Sequence, residues 1–271
     1  MASQICRNAR LELHKSVVLQ KEEGFRVHRA CPRLTSMRAI IRALAIAPLF
    51  AGTAVPAMAE LGPCKRDARE TPLCGSGKGA ARVIRNTMSP DKKFALAWRD
   101  PDKDPGDVTE DDTDLELLLI RLADGVVLTK GDTDYFRNPG VTANRREEFA
   151  IWSPDSRMVI RQLDPRFGTE VFTLYRIGAD GALAGDIDLI KIVEPAVLAR
   201  LKQIGRDPKD YRLLINNNAS TIGNDGMLRF EVIMFVIKQE PEVDYKVEMK
   251  VTSGKAPLRA RIVSIRQTHL E

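Results

Sequence analysis

Ser89–Asp100 reads SPDKKFALAWRD, and the same opening returns 64 residues later in Ser153–Asp164, SPDSRMVIRQLD. Proline fixes the φ angle at the first central position of a turn, and an aspartate side chain can accept hydrogen bonds from nearby backbone amides. In the first segment Phe94, Leu96 and Trp98 alternate with alanines, as in a strand buried on one face and tightly packed on the other. Both segments therefore predict a tight turn followed by a buried strand.

A second apolar alternation follows each of these segments. Leu115–Gly125 reads LELLLIRLADG, and Glu170–Gly181 reads EVFTLYRIGADG. Each ends in Asp-Gly, the dipeptide that supplies the left-handed backbone of a hairpin turn. The chain therefore contains an internal repeat of the form turn, strand, loop, strand, turn.

These segments resemble the WD40-like repeats of TolB-type β-propellers, in which S-P-D-G-K precedes an apolar strand and a second strand ends in D-G. The likeness covers about 100 residues, Arg82–Gly185. It departs from the family at Lys92 and Ser156, where the repeats have glycine, and no third S-P-D follows. The resemblance implies propeller-like blades, a bacterial envelope setting and a surface that binds another protein.

Beyond Gly185 the pattern changes to one helix and further strands. EPAVLARLKQIG, Glu194–Gly205, predicts a short helix with Pro195 in its first turn and Gly205 as its stop. The predicted strands that follow are Arg212–Asn216, Leu228–Lys238, Tyr245–Thr252 and Arg259–Gln267, with a hairpin turn at Asn224–Gly226. The whole pattern predicts a mostly β protein of roughly nine or ten antiparallel strands with one short helix. Propeller-like blades and a twisted open sheet are the two arrangements left open.

The sequence predicts a secretory signal that begins at Met37. Two arginines are followed by the apolar run Ala43–Val55 and by Ala57 and Ala59, an A-x-A cleavage pattern. The run is shorter than the roughly 20 residues that span a bilayer, so no transmembrane anchor is expected after cleavage. The predicted divisions are a non-native or disordered extension (1–36), a signal peptide (37–59), a disulfide-pinned tail (60–81) and the propeller-like domain (82–271). The predicted location is periplasmic or secreted.

Charge and histidine content narrow the function. The formal charge of +5 becomes about −1 once residues 1–59 are set aside, because they hold nine Lys or Arg and three Asp or Glu. The basicity is therefore no sign of nucleic-acid binding. After the predicted cleavage the chain keeps a single histidine, His269. Ser-His-Asp, Cys-His and histidine-zinc chemistry are therefore disfavoured, and a non-catalytic role is favoured.

Two cysteines, Cys64 and Cys74, remain after the signal. An even pair in an exported chain predicts a disulfide, which would pin the N-terminal tail. No cofactor is predicted. Calcium binding by an acidic loop is left open as an alternative.

The acidic loop, Arg99–Glu116, carries four aspartates at calcium-loop positions 1, 3, 5 and 12, namely Asp100, Asp102, Asp104 and Asp111. Pro105 stands where such loops have glycine, and Gly106 comes one residue late. A solvated loop extended by its own charge is the alternative.

Three functions remain open from the sequence. The first is a non-catalytic binding module with a protein partner in the envelope. The second is a hydrolase or lyase that works with carboxylates alone, which would require two of them in one cleft. The third is a calcium-dependent structural or adhesive protein.

Overall fold

Three antiparallel sheets follow one another along the chain. The computed structural model describes residues 61–66, 71–109, 112, 114–133, 147–165, 168–236, 239–252 and 257–270, all within one compact unit, Ala54–Glu271. The predicted extension and signal peptide lie outside the described residues. Within the described ranges no helix is long and apolar enough to cross a bilayer.

Every sheet is a meander whose strands are neighbours in the order of the sequence. Sheet 1 comprises β1 (Cys64–Arg66), β2 (Pro72–Cys74), β3 (Ala81–Val83), β4 (Phe94–Arg99), β5 (Glu116–Arg121) and β6 (Val127–Asp132). Sheet 2 comprises β7 (Glu147–Trp152), β8 (Met158–Asp164), β9 (Val171–Ile177) and β10 (Leu183–Asp188). Sheet 3 comprises β11 (Tyr211–Ile222), β12 (Met227–Val236), β13 (Gln239–Thr252) and β14 (Arg259–Leu270). The described residues thus confirm a mostly β, antiparallel fold.

The predicted strand count is wrong. Fourteen strands occur in the described residues, against the nine or ten predicted. The strands missed by the sequence pattern are β1, β2, β3, β6, β7 and β10, which are short, polar or only partly buried. They form because each one pairs with a neighbouring strand of its sheet, so tertiary pairing overrides weak local preference. The three sheets remain separate, and none closes into a barrel.

Strand β4 contributes side chains to a core on each face of sheet 1. Its side chains are buried on both faces, as the alternation predicted. Phe94, Leu96 and Trp98 pack in a core that also contains Val159 and Ile177 of sheet 2. The intervening alanines pack in a second core on the opposite face of sheet 1. Their small size lets other chain segments approach that face closely.

The contact between sheets 1 and 2 includes aromatic and polar groups. The rings of Phe94 and Trp152 stack with their centroids 6.4 Å apart. The indole N–H of Trp152 donates a 2.8 Å hydrogen bond to the carbonyl oxygen of Thr87. This bond satisfies the polar end of a partly buried indole while its ring adds to the core.

Sheets 2 and 3 share the largest core, together with the helix α1 (Ile190–Gln203). Val193, Val197 and Leu201 of α1 are fully buried in it, at a spacing of four residues that places them on one face. The amide of Gln162 donates a 2.8 Å hydrogen bond to the carbonyl oxygen of Ile215, which ties β8 to β11.

The predicted helix is present, but its start was placed too late. It begins at Ile190, so Pro195 lies inside the helix instead of in its first turn. The buried residues Leu189 and Val193 extend the apolar face toward the N-terminus, and their burial outweighs the missing proline N–H. Gly205 ends the helix as predicted, with φ of 79°, and Arg206 N–H bonds the carbonyl of Leu201 in a Schellman motif.

The S-P-D segments form the predicted tight turns. In each, the N–H of the fourth residue bonds the carbonyl of the first at 2.9 Å, Lys92 to Ser89 and Ser156 to Ser153. Lys92 and Ser156 have φ of 58° and 61°, the left-handed backbone that favours glycine. The two departures from the repeat pattern therefore stand where a glycine would be least strained.

Sheet 3 has the same turn between its first two strands, built from different residues. Gly223–Gly226 reads GNDG, and Gly226 N–H bonds the carbonyl of Gly223 at 2.8 Å. Asp225 accepts from the backbone two residues later, as Asp91 and Asp155 do. Gly226 has φ of 78°. The predicted Asn224–Gly226 hairpin is thus confirmed, and it is the third member of the turn series.

Candidate functional site

The outer face of sheet 3 carries rows of charged and polar side chains that cross all four strands. In one row Asn216, Glu231, Lys246 and Arg266 are directly opposite one another on successive strands. Alternate residues on the same strands, such as Val232, are fully buried against sheet 2. Because side chains alternate between the faces of a strand, the charged rows face outward.

An irregularity in β11 opens a groove on this face. The register with β12 shifts between Asn216 and Thr221, so the extra residues of β11 leave the sheet surface. The groove has a volume of about 320 Å³ and is lined by Ala219, Thr221, Arg229, Phe230, Glu231, Lys246, Val247, Glu248 and Arg266. Three of its lining side chains are cationic and two are anionic.

The anionic groups of the groove are already bonded. Glu248 accepts a 2.8 Å hydrogen bond from Ser264, which is the main cause of its lowered pKa, with Arg266 and Arg229 adding to it. Glu231 accepts a 3.0 Å bond from the amide of Asn216. Both carboxylates therefore serve to hold neighbouring side chains in place.

The cations are less fully engaged. Arg229 lies 3.5 Å and Arg266 4.0 Å from Glu248, and their side chains are 57% and 69% exposed. Lys246 is exposed and forms no ion pair with any described residue. The face therefore presents positive charge that an incoming anionic group can use.

The chemical character of the groove is set by its charged side chains. A carboxylate general acid needs a raised pKa, whereas that of Glu248 is lowered. The lining residues include no histidine or cysteine, and Thr221 supplies their single hydroxyl. The arrangement can hold an anionic surface but has no activated nucleophile.

The predicted calcium residues lie in a loop whose carboxylates bond the loop itself. Asp100 is 5% exposed and accepts the N–H of Asp102 at 2.9 Å. Asp104 accepts the N–H of Gly106 at 3.0 Å. Asp111 lies outside the described residues. Within the described ranges no group of three or more Asp, Glu, His or Cys is placed to hold a metal ion.

A lysine lies among these carboxylates. Lys103 pairs closely with Asp112 and is 4.0 Å from Asp100. The hydrogen bond with Asp112 is the main cause of the raised pKa of Lys103, and the charges of Asp100 and Asp114 add to it. The ammonium group therefore takes the place that a bound cation would have between these side chains.

The predicted disulfide between Cys64 and Cys74 is confirmed. It joins facing residues of the β1–β2 hairpin. Just before it, Leu61 N–H bonds the carbonyl of Gly125, and Cys64 N–H bonds that of Leu122, each at 3.1 Å. These two backbone bonds hold the bridged hairpin against the β5–β6 turn, where a side chain at Gly125 would clash with the Gly62 carbonyl.

A buried ion pair lies between sheets 1 and 2. Arg161 contacts both carboxylate oxygens of Glu148, at 2.7 and 3.1 Å, and their side chains are 5% and 0% exposed. Thr133 donates a further 2.7 Å bond to Glu148. Glu148 and Arg161 are on neighbouring strands of sheet 2 and Thr133 follows β6 of sheet 1, so the cluster connects the two sheets.

Asp164 lies at the end of β8, near sheet 3. Burial raises its pKa to about 6; the bonds from Thr169 and Gln162 oppose the rise, and the charges of Glu147 and Glu148 add to it. Thr169 donates to Asp164 at 2.7 Å and accepts from the N–H of Ile215 at 2.8 Å. The carboxyl group thus connects to β11 through one hydroxyl.

Sequence reasoning did not find the groove of sheet 3. Its signal was present as charges alternating with apolar residues in LRFEV, Leu228–Val232, and YKVEMKV, Tyr245–Val251. That alternation predicts an exposed strand face. It does not specify which charges become neighbours, because this depends on the register between strands and on the irregularity in β11.

No family model, curated protein or solved structure matches this chain. The likeness to TolB-type repeats therefore rests on the residues of the two S-P-D units.

Proposed function

We propose that this chain is an exported, non-catalytic protein-binding module with TolB-like repeats, and that the outer face of sheet 3 is its binding surface. The observation that carries the proposal is the uncompensated positive charge of that face, where Lys246 has no ion pair with a described residue. A four-stranded face with a groove is suited to another protein's surface, and charge complementarity would orient that protein.

The repeat architecture supports propeller-like blades. The last four strands of sheet 1, and sheets 2 and 3, are each a four-stranded meander with the same turn after its first strand. Antiparallel four-stranded sheets repeated around an axis are the units of propellers. We therefore propose that the three meanders are successive TolB-like blades.

An exported location is supported by two independent features. The segment Met37–Ala59 has the pattern of a secretory signal, and the Cys64–Cys74 disulfide is of a kind that persists in oxidising compartments. Protein expressed from Met37 is expected in the periplasm or medium with Glu60 at its N-terminus. Full-length Met1 chains retained in the cytosol would contradict this location.

The binding surface is tested by crosslinking in intact cells. A tagged chain would be purified from the crosslinked envelope, and bound proteins would be identified and quantified by mass spectrometry. Lys246→Glu reverses one charge on the proposed surface, and Lys191→Glu is its matched control on α1, where the lysine side chain is 81% exposed. A partner at near-equal abundance, lost with Lys246→Glu and kept with Lys191→Glu, is expected.

Two results would contradict the proposed surface. One is recovery of no protein above background by the unmodified chain. The other is a partner retained by both variants, or lost equally from both. Melting temperatures of the two variants show whether a loss of binding reflects unfolding.

A further inference from the structure

Strand β14 (Arg259–Leu270) is the last strand of sheet 3. One of its backbone edges pairs with β13, and the other pairs with no described strand. Its 12 residues extend over roughly 40 Å, at about 3.3 Å per residue. Half of the N–H and C=O groups of such a strand point away from its partner and remain available to another strand.

The apolar side chains of β14 are incompletely covered. Ile262 and Ile265 pack against the core of sheets 2 and 3 but are only partly buried. Val263 is 47% exposed, the highest value among the exposed large apolar side chains of the described residues. On the adjacent strand β13, Val247 and Met249 are 1% and 0% exposed. The apolar side chains are therefore less completely buried on β14 than on β13.

The charge of β14 is of one sign. Arg259, Arg261 and Arg266 are exposed, and the strand contains no aspartate or glutamate. Arg259 and Arg261 form no ion pair with a described residue, and Arg266 is 4.0 Å from Glu248. Pairing of β14 with a second copy of itself would bring basic strands together, which like-charge repulsion opposes. The complementary strand is acidic.

We propose that β14 accepts an extended acidic segment of a partner protein as a fifth strand of sheet 3. This inference rests on the proposed function and identifies the chemistry of the partner. Backbone hydrogen bonds along the open edge supply a sequence-independent part of the affinity. Acidic side chains on the outer face meet the arginines, and apolar side chains on the inner face cover Ile262 and Ile265. Arg266 joins this edge to the groove.

The probe is a capped ten-residue peptide of alternating glutamate and valine, with a fluorophore at one end. Its binding to the protein beginning at Glu60 is measured by anisotropy at low and high salt. A second peptide has the same side chains but N-methyl groups on alternate amides, and a third has lysine in place of glutamate. We expect the N-methylated and lysine peptides to bind at least tenfold more weakly than the first peptide. We also expect high salt to weaken the binding of the first peptide.

Hydrogen exchange of the unmodified protein locates the peptide without relying on a variant. Amides of β14 are expected to gain protection when the glutamate peptide is bound. Arg261→Glu is expected to weaken binding at least tenfold, whereas Lys191→Glu on α1 leaves it unchanged. A melting curve of Arg261→Glu shows whether that variant is folded.

Four outcomes would overturn the inference. Equal binding of the N-methylated peptide would mean that charge alone is recognised. Binding without added protection in β14 would place the peptide elsewhere. Protection of β14 through self-association, with no peptide present, would make a second copy the occupant. An envelope partner lost with Lys246→Glu but without protection of β14 would contradict this inference and leave the proposed function standing.

Discussion

The backbone N–H of Asp91 donates a 3.1 Å hydrogen bond to the hydroxyl oxygen of Ser156, joining the first S-P-D turn to the second. The backbone N–H of Asp155 in turn donates a 3.0 Å bond to the side-chain oxygen of Asn224, in the third turn. The second and third turns thus each receive a hydrogen bond from the turn of the preceding sheet. The repeated turns therefore link successive sheets to one another as well as reversing the chain.

Glycine substitutions separate these two roles of the turns. Lys92→Gly relieves a left-handed backbone that costs about 1–2 kcal/mol in other residues, offset by the greater freedom of glycine when unfolded. We expect it to raise the free energy of unfolding by up to about 1 kcal/mol. Ser156→Gly relieves the same strain but loses the bond from Asp91, so it should be less stable than Lys92→Gly by about 1 kcal/mol. Urea denaturation measures both, and equal stabilities would contradict a role for the bond between turns.

The ion pair of Arg161 and Glu148 should be costly to break. Arg161→Met leaves Glu148 charged and fully buried, and we expect a loss of about 3–5 kcal/mol in the free energy of unfolding. Replacing both residues with methionine should cost less than Arg161→Met alone. Lys191→Ala is the control, since it breaks an exposed pair with Asp188 and should change stability by less than about 0.5 kcal/mol. If Arg161→Met lowered the free energy of unfolding no more than this control, the ion pair would not be important for stability.

Asp164 should make stability depend on pH with an unusual sign. Its pKa is about 6 in the folded chain against 3.8 ordinarily, so between these values the folded chain holds a proton that the unfolded chain has released. The stabilising contribution of Asp164 to the free energy of unfolding is complete below about pH 4 and is lost as pH rises through 6. The free energy of unfolding changes by at most about 1.4 kcal/mol per pH unit from this one group.

The measurement for Asp164 is the free energy of unfolding of wild type minus that of Asp164→Asn, from urea curves at pH 4 to 7. This difference removes the opposite contributions of carboxyl groups whose pKa is lowered, such as Asp91 and Glu248. We expect the difference to fall as pH rises. A difference independent of pH would show that Asp164 has an ordinary pKa.

Reduction of the disulfide should weaken the fold without preventing it. Closing a loop of ten residues stabilises a protein by about 2–3 kcal/mol in the chain-entropy model. We expect a reducing agent to lower the free energy of unfolding of the wild type by that amount and to leave the Cys64→Ser, Cys74→Ser double variant unchanged. Ready alkylation of both cysteines in non-reduced protein would show that the bridge is not formed.

Calcium binding by the acidic loop is tested by melting the protein with and without millimolar calcium. Specific binding would raise the melting temperature, and Asp102→Ala would abolish the rise. Because Lys103 pairs with Asp112 and lies near Asp100, we expect little rise in the wild type and a larger one in Lys103→Ala. A rise in the wild type equal to that of the variant would show that the lysine does not compete with calcium.

The features that the sequence predicts correctly are those decided by neighbouring residues. The S-P-D turns, the Gly205 helix stop and the Cys64–Cys74 bridge each depend on side chains or backbone preferences within a short segment. The Asn224–Gly226 hairpin belongs to the same class. Each could be interpreted without knowing which strands are adjacent.

Features that depend on distant pairing were not predicted. The equivalence of GNDG with the S-P-D turns arises from backbone geometry, because Asn224 and Gly226 share no residue type with Pro154 and Ser156. The groove of sheet 3 requires both the strand register and the shift in β11. Short strands such as β1 and β10 form through the sheet that they join. Local propensity carries little information about these contacts.

The disulfide-linked β1–β2 hairpin has a consequence for how the molecule assembles. Repeat proteins remain soluble when a terminal unit seals the apolar face of the last repeat, since an unsealed face would recruit further copies. Leu61 and Cys64 pack over the alanine-lined face of sheet 1, whereas the far end of the array bears the arginines of β14. Under the proposal that β14 accepts a partner strand, sheet 1 is covered by the β1–β2 hairpin and sheet 3 is open at β14. This polarity favours finite complexes with one partner over filaments.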